Sequence, residues 1–222
     1  MDHHYATVNG VRLHYASKGQ GPLMLFVHSF PEFWHAWKNQ LDEFGRDHRA
    51  VALDMRGYNL SDKPAEVKAY RTKHLVEDLR QLIEHLGGRP CVLVAHDWGG
   101  AVAWNLAIAH PDCVSRLVIV NAPHPVLFAR ALKNNPEQIA ASQYMLLLRD
   151  AKAERVLSEN NFQRLEAMLR SFADDAGGWP SDAGFDSTAR HGRSRARSRG
   201  RSTTTAPRRC IRPMPPAPLR PN

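Results

Sequence analysis

Val94-Ala95-His96-Asp97-Trp98-Gly99-Gly100 changes character at its middle residue. Before Asp97, Val92-Leu93-Val94-Ala95 is a continuous apolar run, too short for a helix and suited to a strand covered on both faces. After Asp97 a helical pattern continues to about His110, where Pro111 stops it. Ala95 lies two positions before the aspartate and Gly99 two after, so backbones can pass closely around a sharp strand-to-helix turn. Such a turn pushes the Asp97 side chain into the open, and the helix aims its first N–H groups at the same place. An isolated aspartate there would read as a helix cap. The strand before it, the glycines after it and a second motif upstream point to a nucleophile instead.

Working outward, residues 5–8 and 11–16 alternate apolar and polar around Asn9-Gly10, which suits the positive φ angles of a two-residue hairpin turn. Leu23-Met24-Leu25-Phe26-Val27, Ala50-Val51-Ala52-Leu53 and Leu117-Val118-Ile119-Val120 read as further buried strands. Between them, Thr72 can cap a helix whose Leu75, Leu79, Leu82, Ile83 and Leu86 form one apolar stripe, ended by Gly87. Alternating strands and helices imply a mostly parallel sheet wound by right-handed crossovers, opened by an antiparallel hairpin. From Pro123 the pattern turns to helices alone, including 136–149 with Pro136 at its first position and 160–173, which suggests an inserted lid. The expected organisation is a core over 1–122, a partial helical cap over 123–186 and a disordered Arg/Pro-rich tail over 187–222.

An aspartate at the turn dictates its own chemistry. An aspartate carboxylate has a reference pKa of about 3.9, so such a side chain needs no base to attack at neutral pH. It can displace a leaving group from a saturated carbon and form an alkyl ester, which a base-activated water must then cleave. The second motif, His28-Ser29-Phe30-Pro31-Glu32, directly follows the Leu23–Val27 strand. A loop there can point a backbone N–H where the N–H of Trp98 also points, giving an oxyanion hole for the ester carbonyl. The plainer alternative is a tight loop stiffened by Pro31.

Phe30-Pro31-Glu32 after a histidine, Asp54-Met55-Arg56-Gly57-Tyr58 with Ser61-Asp62-Lys63-Pro64, His96-Asp97-Trp98-Gly99-Gly100, and Asn121-Ala122-Pro123-His124-Pro125 together resemble the epoxide hydrolase branch of the α/β-hydrolase family. They stand in that family's order over residues 10–125. The resemblance implies an α/β-hydrolase fold with the start of a helical cap and with the last strands missing. It implies a small-molecule epoxide as substrate, Asp97 as nucleophile, Phe30 and Trp98 as donors of oxyanion N–H groups, and no cofactor. Ser29 stands where the family usually has glycine, and its side chain is expected to strain the loop. Haloalkane dehalogenases are the near alternative, but many of them place an asparagine where this chain has Phe30. Fluoroacetate dehalogenases usually carry an arginine after the nucleophile, where Trp98 stands here. His96 adjoins Asp97, yet neighbours on a strand face opposite ways and the family uses a distant histidine, so His96 reads as structural. The remaining histidines lack ligand spacing, so no metal is expected.

Composition separates the body from the tail. Residues 187–222 hold ten arginines, no lysine and no acid, which leaves 20 basic against 22 acidic residues in 1–186 and accounts for the net +8. Cys91, Cys113 and Cys210 are scattered and odd in number. With no leader pattern at Met1-Asp2-His3-His4-Tyr5 and no long apolar run, a cytoplasmic protein off the membrane is expected. The tail reads either as a basic arm for nucleic acid or as a shifted reading frame. Thr203-Thr204-Thr205-Ala206-Pro207 can be encoded so that the neighbouring frame gives Asn-Tyr-Tyr-Arg-Ala, which is similar to the cap of the resembled family, including a tyrosine that protonates the epoxide oxygen. The same compatibility extends back to Ala189, so the shifted frame is preferred over specific nucleic-acid binding. That family's water-activating histidine, its acidic partner and the last strands would all lie beyond residue 187, and turnover by this chain is expected to be impaired.

Overall fold

The computed structural model describes residues 1–150 and 152–172. The tail expected over 187–222, and with it the shifted frame, lies outside the described residues, as does the last part of the expected cap. Asn9 (φ 46°) and Gly10 (φ 73°) make the turn between β1 (Asp2–Val8) and β2 (Val11–Lys18). Both angles lie in the left-handed region that the Asn-Gly pair tolerates and a hairpin twist requires. Val8 pairs with Val11 and the register continues to Asp2 with Ser17.

β2 pairs antiparallel with β4 (Arg49–Leu53), and β4, β3 (Leu23–Val27), β5 (Cys91–His96) and β6 (Val114–Val120) then run parallel, in the order β1-β2-β4-β3-β5-β6. All five residues of β3 are buried, because both faces are covered. Leu25 and Val27 join a cluster with Leu79, Leu82 and Ile83 of α2 (Thr72–His85) and with Val102 and Leu106 of α3 (Asp97–Ala109). Met24 and Phe26 face the other way, onto Trp37 and Leu41, the latter in α1 (Lys38–Phe44). Each fully buried Leu or Phe contributes about 1.5–3 kcal/mol relative to exposure, so the doubly covered strands supply much of the drive to fold. β6 forms the other edge of the sheet, and its Val118 and Val120 are 46% and 41% exposed.

Several local details differ from the sequence-based expectation. The run Leu117–Val120, expected to be buried, lies on the edge strand β6 and leaves Val118 and Val120 exposed, and the helix expected over 160–173 starts at Ala153. The residue flanking α2 is Arg71, with no side-chain cap, and Thr72 is the first helical residue. The far end behaves as expected: Gly87 has φ +68°, and the N–H groups of Gly87 and Gly88 reach the carbonyls of Glu84 and Ile83, closing the helix. Beyond Pro123, α4 (Pro125–Asn134) is followed by α5 (Pro136–Ala141) and α6 (Tyr144–Arg149), so the helix expected over 136–149 is broken at Ser142-Gln143. Pro136 does open α5, and the Asn135 side chain caps it by accepting from the N–H groups of Glu137 and Gln138.

Residues 1–149 form one compact unit, and Asp150 begins a second, in which α7 (Ala153–Phe172) is described. Among the described residues no helix is long and apolar enough to cross a membrane.

Candidate active site

The parallel strands β3, β4 and β5 all end on one side of the sheet, the side where open α/β sheets place their ligands. At the end of β5, Asp97 takes φ +44° as the first residue of α3. A side chain other than glycine held there costs about 1–3 kcal/mol, which the surroundings must enforce. They do so by close approach. A Cβ on Gly99 would lie 2.5 Å from the His28 carbonyl oxygen and 2.7 Å from that of Val27, and one on Gly100 would lie 2.5 Å from the Ala122 Cβ. The turn is thus pressed against the loop after β3 and against the residues that follow β6.

The loop after β3 meets Asp97 through Ser29. The Ser29 hydroxyl donates to Oδ2 of Asp97, and Ser29 is only 2% exposed. The expected strain is not found, since Ser29 is absent from the residues with positive φ and its side chain is used in the contact instead. The Ser29 N–H donates to Oε2 of Glu32 at 3.0 Å, and the same oxygen lies 3.3 Å from Nδ1 of His96. Burial pushes the Glu32 carboxyl up, but the His96 hydrogen bond and charge and the Ser29 N–H outweigh it and hold it below its usual range. The Glu32 hydrogen bond raises the His96 pKa against the opposing effect of burial. His96 therefore ties the end of β5 to the loop.

His28 is fully buried and uses both ring nitrogens. Nδ1–H donates to the Ser29 carbonyl at 2.6 Å, and Nε2 accepts from the Met55 N–H at 3.1 Å. That pairing fixes the neutral tautomer, and burial lowers the His28 pKa. The loop after β4 is held by Asp54, which accepts from the Trp34 N–H at 2.8 Å and from the Asn59 side chain at 2.7 Å. Phe30 directly follows Ser29 and Trp98 directly follows Asp97. Neither backbone N–H makes a hydrogen bond with another described residue outside the helix and strand ladders.

Two phenols that the sequence did not single out complete the surroundings. Burial and then the charge of Asp97 push the Tyr144 pKa up to about 12, and the same two causes, in that order, raise that of Tyr58. Both stay protonated at neutral pH while feeling the carboxylate. Tyr58 packs edge-on against His28 with ring centroids 4.8 Å apart. Tyr144 opens α6, in the stretch Ser142-Gln143-Tyr144-Met145-Leu146-Leu147-Leu148, inside the span read from the sequence as one helix, so no sequence signal singled it out. Among the described residues, no group of three or more His, Cys, Asp or Glu is placed to hold a metal ion.

A strained aspartate between a parallel strand and a helix, faced by a loop from the neighbouring strand, is the signature arrangement of one fold family, and a family model described as alpha/beta hydrolase fold matches residues 22–206. The chain belongs to the α/β-hydrolase fold family. Within it, similarity runs to epoxide hydrolases. Epoxide hydrolase 2 of Caenorhabditis elegans is 41% identical over 172 residues, 76% of this chain and 48% of that protein. Epoxide hydrolase 3 of Xenopus tropicalis is 42% identical over 164 residues, 72% of this chain and 45% of its own length. The chain thus spans about half the length of these curated relatives. Among solved structures, the epoxide hydrolase of Bacillus megaterium in complex with an inhibitor superposes with a TM-score of 0.78 at 44% identity, covering 84% of this chain and 66% of that one.

Proposed function

We propose that this α/β-hydrolase opens an epoxide by attack of the Asp97 carboxylate, and the observation that carries the proposal is a half-buried aspartate at φ +44° on a strand-to-helix turn, held by the Ser29 hydroxyl. Oδ1 of Asp97 attacks one ring carbon, the C–O bond breaks, and the leaving oxygen takes the phenolic proton of Tyr144. The product is a β-hydroxyalkyl ester on Asp97. A phenol suits this role because it stays protonated at neutral pH yet gives up its proton to an alkoxide, which is far more basic. The N–H groups of Phe30 and Trp98 then hold the ester carbonyl as water attacks it, giving a diol. In this reading, helices α4 to α6 are the beginning of the cap over 123–186, and Tyr144 on α6, whose phenol feels the Asp97 charge, is its proton donor.

The second step needs a base. The histidine whose charge couples to Asp97 among the described residues is His96, and its hydrogen bond to Glu32 favours the cation, the wrong form for that task. Turnover by this chain is therefore expected to be impaired, with the ester accumulating on Asp97. The substrate class this reading implies is a small-molecule epoxide, met in the cytoplasm.

The test is incubation of the chain with a reactive epoxide such as styrene oxide, followed by digestion and peptide mass spectrometry. The added mass of one epoxide should appear on the peptide containing Asp97 and be lost in Asp97→Asn. Tyr144→Phe should slow its appearance by about 10²-fold, the lower range for a positioned acid. An adduct on another residue, or unchanged labelling of Asp97→Asn, defeats the assignment.

A further inference from the structure

The Ser29 hydroxyl has one property that the expected oxyanion hole of backbone N–H groups lacks: it already touches the nucleophile. Its donation goes to Oδ2 of Asp97, its residue is buried, and its backbone N–H is anchored on Glu32 at 3.0 Å. The loop that carries it packs against the elbow so closely that no Cβ fits at Gly99. The backbone that carries the hydroxyl is thus held in place, and the Phe30 carbonyl, at 3.3 Å, is its second and more distant acceptor. Resting on the Asp97 reading above, we infer that Ser29 is a catalytic residue of the second half-reaction, a side-chain donor to the oxyanion formed when the ester is cleaved.

The assignment follows from which oxygen it holds. With Oδ2 tied to Ser29, Oδ1 is the oxygen left to attack, and it becomes the bridging oxygen of the ester while Oδ2 becomes the carbonyl oxygen. When hydroxide adds to Cγ, the carbonyl π pair moves onto Oδ2, which takes the full negative charge. Collapse restores the C=O bond, breaks the Cγ–Oδ1 bond to the alkyl group, or the equivalent bond to the added oxygen in the unproductive direction, and the departing alkoxide takes a proton from water to give the diol. The Ser29 hydrogen bond is strong to the resting carboxylate, weaker to the neutral ester and strong again to the oxyanion, because a donor binds a charged acceptor more tightly than a neutral one. Its effect on the two half-reactions is therefore opposite. It stabilises the carboxylate before attack, which slows alkylation, and stabilises the oxyanion, which speeds cleavage.

This contrast defines the experiment. The chain and its Ser29→Ala and Ser29→Gly variants are labelled with styrene oxide, freed of excess reagent, and followed by intact mass at pH 8–9, where hydroxide cleaves the ester whether or not a protein base is present. Circular dichroism confirms that each variant is folded, and glycine at this position removes the side chain without adding bulk. Both variants are expected to take up the label faster than the parent and to lose it about tenfold more slowly, below the roughly 10²–10³-fold worth of a principal oxyanion donor because the two N–H groups remain. Equal adduct lifetimes in parent and variants overturn the Ser29 role while leaving Asp97 as nucleophile. Failure of the parent to be labelled on Asp97 defeats the nucleophile reading itself, and the Ser29 role with it.

Discussion

Oε2 of Glu32 joins two partners that belong to different strands, the Ser29 N–H beside β3 and the His96 ring at the end of β5. This joint should respond to pH in a defined direction. The His96 pKa is raised in the folded chain by Glu32, so the stabilisation is fully present below the unfolded histidine value of about 6.5 and is lost as pH rises through the higher folded value. His28 works the other way. Its pKa is lowered by burial, so stability falls as pH drops below about 6.5, where the unfolded chain takes up a proton that the folded one resists. Comparing the parent with His96→Gln cancels the His28 contribution. Urea unfolding should show the variant less stable by about 1 kcal/mol at pH 6, with the difference shrinking by pH 8.5; an equal difference at both values would refute a charged His96–Glu32 pair. The strand-to-helix turn at Asp97 was legible in the sequence because a strand signal and a helix signal meet there. The Ser29 contact was not, because the direction of a loop side chain depends on how two distant segments pack. Tyr144 escaped for the same reason, its relation to Asp97 being created by the fold and not by any spacing.

At the scale of elements, the hairpin and the central strands could be read from the sequence, since apolar runs bounded by Gly, Pro and Asn admit few alternatives, whereas β1 and β6 each start three residues before the stretch read for them and β6 is exposed where burial was expected. The helices after Pro123 were harder. The break at Ser142-Gln143 contains neither Gly nor Pro, and α5 and α6 have six residues each, too few for a periodic pattern to separate two helices from one. The contact between α3 and β3 offers the sharper test. In Gly99→Ala the new methyl would meet the carbonyl oxygens of His28 and Val27, backbone atoms that cannot rotate aside as a side chain can. The expected cost is about 1–3 kcal/mol, read as a lowered thermal midpoint, together with slower labelling of Asp97 because the elbow must shift away from the loop. Gly10→Ala is the contrasting case. Nothing lies within 4 Å of a Cβ there, so its penalty comes from φ +73° alone and labelling of Asp97 should be untouched. If both variants labelled at the parent rate, close approach at Gly99 would not be what sets the position of Asp97.

For the whole molecule, charge and fold tell separate stories. The residues that build the sheet and carry Asp97 lie in the near-neutral part of the chain, whereas the net +8 comes from the ten arginines beyond residue 187. A net charge of that kind says nothing about the α/β-hydrolase fold, but it fixes how the molecule meets polyanions. Arginines on phosphates release condensed counterions whatever the base sequence, so weak binding to RNA or DNA at low salt is expected. Selective binding needs groups that read or stack on bases, and residues 187–222 contain no Phe, Tyr or Trp to stack with. The affinity should therefore fall steeply with salt, by roughly 10³–10⁵ between 50 and 200 mM for 6–10 phosphate contacts, and should not distinguish one sequence from another. Fluorescence anisotropy with several labelled RNA and DNA oligonucleotides, titrated across that salt range, checks both points. Tight binding near 150 mM that favoured one oligonucleotide would make the basic segment a recognition element in its own right, independent of the hydrolase site.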